Sequence, residues 1–111
     1  MGNAMRYMLM TKLKPRNITE CLTEKQQDEL CQYLLNNLVP DTSTAVHYGT
    51  QFSGPDTGVF FFQAVYNDIE AYEEGAKIIS HCTSQFLREH NLQPYQVIER
   101  TLWQLHGSVK H

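Results

Sequence analysis

Two stretches of this chain are apolar at nearly every position, and the segments around them alternate. Gly58–Tyr66 (GVFFFQAVY) is dominated by β-branched and aromatic residues and follows a turn-rich segment, which predicts a strand over Val59–Val65. One face of that strand carries Val59, Phe61, Gln63 and Val65, the other Phe60, Phe62, Ala64 and Tyr66, because side chains alternate along a strand. Tyr7–Leu13 (YMLMTKL), closed by Pro15, has the same two-sided character. Strands apolar on both faces belong in the middle of a sheet that is covered on both sides. Thr44–Phe52 and Gln96–Trp103 predict two further strands, and they carry His47, Gln51, Glu99 and Arg100. Edge positions tolerate such residues. Ser53–Gly58 puts Gly, Pro and Asp in one cluster, the chemistry of a hairpin loop between antiparallel strands.

The remaining periodicity is helical. Thr23 with Gln26 three residues on forms a capping box, and Leu30, Cys31, Leu34, Leu35 and Leu38 recur as one buried stripe. Pro40 ends that helix. A longer helix is expected from Ile69 to His90, capped by Asn67 or Asp68, with Glu70, Glu73 and Glu74 near its positive end. Ile69, Tyr72, Ala76, Ile79, Thr83 and Phe86 define its core stripe, and Gly75 inside it hints at close packing. Asn91 suits a left-handed cap at its end.

The order is therefore strand, helix, strand, strand, helix, strand. This is the split βαβ pattern of a ferredoxin-like α+β fold, βαββαβ, a four-stranded antiparallel sheet with two helices on one face. Strands one and three take the middle. The expectation for the faces is that Met8, Met10, Phe60, Phe62, Ala64, Ile98 and Leu102 meet the helices. The open face then collects Tyr7, Leu9, Thr11, Val46, Tyr48, Thr50, Phe52, Val59, Phe61, Gln63, Val65, Val97, Glu99, Thr101 and Trp103. A lone soluble chain rarely leaves so much apolar surface wet. A second copy, or a ligand between two copies, is expected to cover it.

Composition narrows the function classes. The 111 residues fit one domain over residues 5–105, with 1–4 read as a vector-derived remnant and 106–111 as a frayed tail. The formal charge is −3, and Lys12, Lys14 and Arg16 are the nearest thing to a basic stripe. They read as a solvated strand end, so a nucleic-acid partner is not expected. No apolar run could span a bilayer. Cys21, Cys31 and Cys82 are an odd number without paired short spacing, which fits a reducing, cytoplasmic setting.

Candidate chemistry is sparse. His47 would need a cavity position to act as a general base, and its register is expected to turn it toward the helices. Glu99 and Arg100 point to opposite faces, and an ion pair from this edge strand to another chain is the expected role. His81 and Cys82 are the only adjacent pair of metal-competent types, and helix neighbours diverge by about 100°. No metal, cofactor or phosphate motif is present, so none is expected as a partner. The ligand-binding or interface residues expected on the open face are Tyr7, Tyr48, Phe61, Gln63, Glu99 and Trp103, aromatics with a few hydrogen-bonding groups.

From Met5 to Trp103 the element order and patterning resemble the dimeric α/β-barrel group of ferredoxin-like proteins, which pair sheet to sheet around a central cavity. That resemblance implies a homo-oligomer, a dimer first, with room for a small apolar ligand. The group includes small monooxygenases and decyclases as well as members that only bind or assemble. No subfamily motif is matched, so no catalytic residue is implied. The expected function is a binding or assembly module; the alternative is a cofactor-free oxygenase or isomerase acting on an apolar or aromatic molecule between the sheets.

Overall fold

The computed structural model describes residues 6–16, 21–38, 43–92 and 95–110. Its elements are β1 (Arg6–Pro15), α1 (Glu24–Asn37), β2 (Ser43–Thr50), β3 (Phe60–Tyr66), α2 (Ile69–Glu89) and β4 (Tyr95–Leu105). Residues 1–4, the predicted stop at Pro40 and His111 at the end of the tail lie outside the described residues. The four strands form one antiparallel sheet in the order β2-β3-β1-β4. The two strands apolar on both faces are therefore the central pair. This is the ferredoxin-like fold.

Local signals explain the boundaries. The Thr23 hydroxyl accepts from the Gln26 amide at 3.2 Å, and the Gln26 side chain accepts from the Thr23 amide at 3.0 Å. Asp68 caps α2 by accepting from Ala71 N at 2.7 Å. Asn91 takes a positive φ of 54°, the left-handed turn that releases the chain from α2. Gln51 and Val59 continue the β2–β3 ladder into the loop, with Gln51 N donating to Val59 O at 2.9 Å.

The core lies between the sheet and both helices. Leu9, Leu13, Phe60, Phe62, Ala64 and Tyr66 from the strands meet Leu30 and Leu34 of α1 and Ile79 and Phe86 of α2. Each large side chain so buried stabilises the fold by roughly 1.5–3 kcal/mol. The helix stripes differ slightly from expectation. Leu35 and Ile69 are exposed, while Gln27, Ala71, Gly75, Cys82 and Leu87 are buried. Gln27 is held inside because its amide donates to Leu22 O at 3.2 Å. Gly75 packs directly under the ring of Tyr66, where a Cβ would collide with Cε1.

The face assignment needs correction in three strands. The register pairs Leu9 with Ala64, Thr11 with Phe62 and Leu13 with Phe60, so odd positions of β1 share a side with even positions of β3. Tyr7, Leu9 and Thr11 face the helices, and Met8 and Met10 face away. In β2 the pairs Val46–Ala64, Tyr48–Phe62 and Thr50–Phe60 put Val46, Tyr48 and Thr50 on the helix side. His47 is thereby on the open side. In β4 a register shift opposite Lys12/Leu13 moves Val97 to the helix side as well. Phe52 lies past the end of β2 and is 95% exposed. Pairing across strands fixes the side on which a residue lies, and a strand apolar on both faces carries no pattern from which to read it.

Candidate functional site

The helix-free side of the sheet is built from three cross-strand rows. Ala45, Val65, Met8 and Trp103 form one; His47, Gln63, Met10 and Thr101 the next; Gly49, Phe61, Lys12 and Glu99 the third. Directly opposed residues on one face have Cβ atoms about 5 Å apart, within side-chain contact. The first row is wholly apolar and ends in Trp103, which is 51% exposed. Phe61 lies over Gly49, whose missing Cβ would sit 3.4 Å from the ring.

The polar groups of this face are largely tied to one another. Lys12 Nζ lies 3.2 Å from Glu99 Oε1 and 3.5 Å from Asp56 Oδ2. The hydrogen bond to Glu99 is the main cause of its raised pKa, ahead of the opposing effect of burial. Thr101 Oγ1 donates to Glu99 Oε2 at 3.2 Å. Two sequence expectations change here. Glu99 pairs within the chain, and Lys12 is pinned on a central strand instead of standing free at a solvated end. His47 and Gln63 are neighbours in the middle row, on the side opposite to the one expected for His47.

Of the six residues expected on this face, Phe61, Gln63, Glu99 and Trp103 lie there together. Tyr7 and Tyr48 do not. Tyr7 accepts from Gln104 Nε2 at 3.2 Å, at a position level with Leu9 on the helix side. The Tyr48 hydroxyl donates to Asp28 Oδ1 of α1 at 2.7 Å, and that bond, with a smaller contribution from burial, pushes its pKa up to about 12. Tyr48 thus fastens β2 to α1. Sequence reasoning missed Met8, Met10 and His47 as open-face residues, and only the register could have supplied them.

Among the described residues no group of three or more His, Cys, Asp or Glu side chains could hold a metal ion. His81 is exposed while its neighbour Cys82 is buried, as helix geometry requires. Among the described residues no helix is long and apolar enough to cross a membrane.

No protein-family profile and no curated protein sequence matches the chain. Solved structures do. A Chloroflexus aurantiacus protein, described provisionally as an antibiotic biosynthesis monooxygenase, superposes with a TM-score of 0.55 at 14% identity, covering 95% of this chain and 97% of that one. Rv0793 of Mycobacterium tuberculosis gives a TM-score of 0.54 at 11% identity, with 95% and 97% covered. MupZ of Pseudomonas fluorescens gives 0.52 at 14% identity, with 92% of this chain and 69% of that one covered. These likenesses show the fold, a ferredoxin-like α+β domain.

Proposed function

We propose that this chain is a self-associating module whose copies pair through the helix-free face of the sheet. One observation carries the reading. Met8, Met10, Phe61, Val65 and Trp103 are contiguous on a side of the sheet that neither helix covers. Water around such a patch is displaced when a second copy packs on it, and Trp and aromatic residues are the types that anchor interfaces. The internal pairing of Lys12 with Glu99 and Asp56 lets this face be covered without leaving a lone buried charge, which would be expensive.

The test is Phe61→Asp, followed by light scattering on a sizing column. Wild type should elute as a dimer or larger, and the variant as a folded monomer, because a carboxylate at the centre of the contact cannot be desolvated cheaply. A monomeric wild type at high micromolar concentration would refute the reading.

A second reading rests on His47 and Gln63, a polar pair beside Met10 in the same face. Between paired sheets a histidine side chain can serve as general base. The chain would then be a cofactor-free enzyme of oxygenase or isomerase type, taking an apolar or aromatic molecule, in keeping with the provisional description of the Chloroflexus neighbour. Dioxygen uptake or isomerisation on a panel of apolar phenols, lost in His47→Ala, would support it. Turnover unchanged in that variant would exclude the role of His47.

A further inference from the structure

The open face of the sheet fits a second copy of itself in one orientation, because its two edges carry opposite size patterns. Along β2 the side chains on that face are Ala45, His47 and Gly49. At the same levels β4 carries Trp103, Thr101 and Glu99. Each level therefore has a small residue at one edge and a larger one at the other. We propose that the second copy sits about a two-fold axis running along the strands, β2 of each copy against β4 of the other, so that the larger residue at each level fills the space over the smaller one. This seating rests on the pairing proposed above and adds the residues that meet across it.

A face-to-face pair of identical chains has its two-fold axis in the plane between the sheets, and the contact is isologous. With the strands of the two copies nearly aligned, the axis runs either along them or across them. An axis along the strands exchanges the edges and keeps the levels. Trp103 then lies over Ala45 of the partner subunit, and His47 over Thr101 of the partner subunit. An axis across the strands keeps the edges and inverts the levels. It would set Ala45 against Gly49 of the partner subunit and Trp103 against Glu99 of the partner subunit, leaving a void at one edge and crowding the other. A void forfeits dispersion contacts, and crowding forces side chains off their rotamers. It would also lay the apolar row on the row that holds Lys12 and Glu99, which desolvates charge against hydrocarbon. The angle of about 30° between aligned sheets shifts the edges by less than one level, about 7 Å, so the correspondence survives it.

The individual residues agree with this seating. Trp103 is 51% exposed, a large ring with much of its surface still to cover. Glu99 is already bonded to Lys12 at 3.2 Å and to Thr101 at 3.2 Å, so it can be covered without a new counter-ion. The space over Gly49 is partly taken by the Phe61 ring of its own chain, and Glu99 is the slimmest of the three larger residues that need room. His47 has Ala45 and Gly49 beside it along β2 and Gln63 opposite on β3, none of them charged. In the pair, His47 and Gln63 are closed over by Thr101 and Met10 of the partner subunit. Any small molecule held beside His47 then touches both copies, and there are two such places per dimer.

Two measurements test the geometry. In a Cys21→Ser background, where the remaining Cys31 and Cys82 are buried, His47→Cys and Thr101→Cys chains are prepared separately. They are treated with a short bis-maleimide, because stacked sheets lie about 10 Å apart, beyond the span of a disulfide. The mixture of the two should give crosslinked dimers about tenfold or more faster than either chain alone, since the reagent then acts within a complex instead of by collision. His47→Cys crosslinking to itself as fast as the mixture would place the axis across the strands and overturn the proposal. The second measurement is a size swap read by sedimentation. Ala45→Trp should raise the dissociation constant about tenfold or more by crowding, and adding Trp103→Ala should bring it back to within about threefold of wild type, as residues in contact compensate. Within one chain the two positions lie on opposite edge strands, so recovery can come only from contact between copies. A dimeric wild type without mixed crosslinking or without recovery overturns the seating and leaves the pairing itself standing; a monomeric wild type overturns both.

Discussion

Cys21, Cys31 and Cys82 carry the same thiol in three settings. Cys31 is 3% exposed, and burial, aided by Asp28 nearby, pushes its pKa up to about 12. Burial also raises Cys82, whereas Cys21 is exposed and none of the three is in a disulfide. Because the thiolate is the nucleophile, iodoacetamide at pH 8 should label Cys21 in the folded protein and all three in guanidinium, as read by mass spectrometry. Cys31 alkylated as fast as Cys21 would mean that the α1 stripe opens readily. The pH dependence has a definite sign. A raised folded pKa means that the unfolded chain ionises first, so stability holds below pH 9 and falls as pH climbs toward 12 through Cys31. Tyr48 adds to the same alkaline loss above pH 10, through its bond to Asp28. The inertness of Cys31 was legible from its place in a leucine stripe. The bond from Tyr48 to Asp28 was not, because it joins two elements.

At the scale of elements, the segments themselves were readable and their seating was not. The capping box at Thr23, the cap at Asp68 and the hairpin chemistry of Ser53–Gly58 are local, and each ends an element close to where the sequence places it. The buried face of α2 shows what is not local. Ala71, Gly75, Cys82 and Leu87 join Ile79, Thr83 and Phe86 inside, a stripe turned from the one expected because Tyr66 demands a glycine beneath it. Gly75→Ala tests this. Helix propensity alone would favour alanine by about 1 kcal/mol, but the added methyl meets the Tyr66 ring, and overpacking a core costs about 1–3 kcal/mol. Urea denaturation should show net destabilisation. A stabilised variant would show that the ring has room to move.

For the whole molecule, one question dominates: what lies on the sheet opposite the helices. The proposed pairing has an optical readout besides particle size, since Trp103 is the only tryptophan and stands half-exposed on that face. Its emission should move to shorter wavelength as concentration rises through the association range, and Phe61→Asp should abolish the shift. The fold class, the central pair of strands and the excess of apolar side chains were all visible in the sequence, because composition and period report them directly. Phe61, Gln63, Glu99 and Trp103 were placed on the open face, and Tyr7 and Tyr48 were misplaced. The error lay in carrying odd and even numbering across loops, where nothing conserves it.

The sequence by itself determined which segments are strands and helices, and that two strands are too apolar for an edge. Those properties depend on each residue and its near neighbours along the chain. Tertiary structure alone decided which side of the sheet each residue occupies, because register is an agreement between strands and a slip of one residue exchanges the faces. That agreement brought His47 beside Gln63, pinned Lys12 between Glu99 and Asp56, and set Thr11 beside Arg100 under α2. No stretch of sequence contains any of the three.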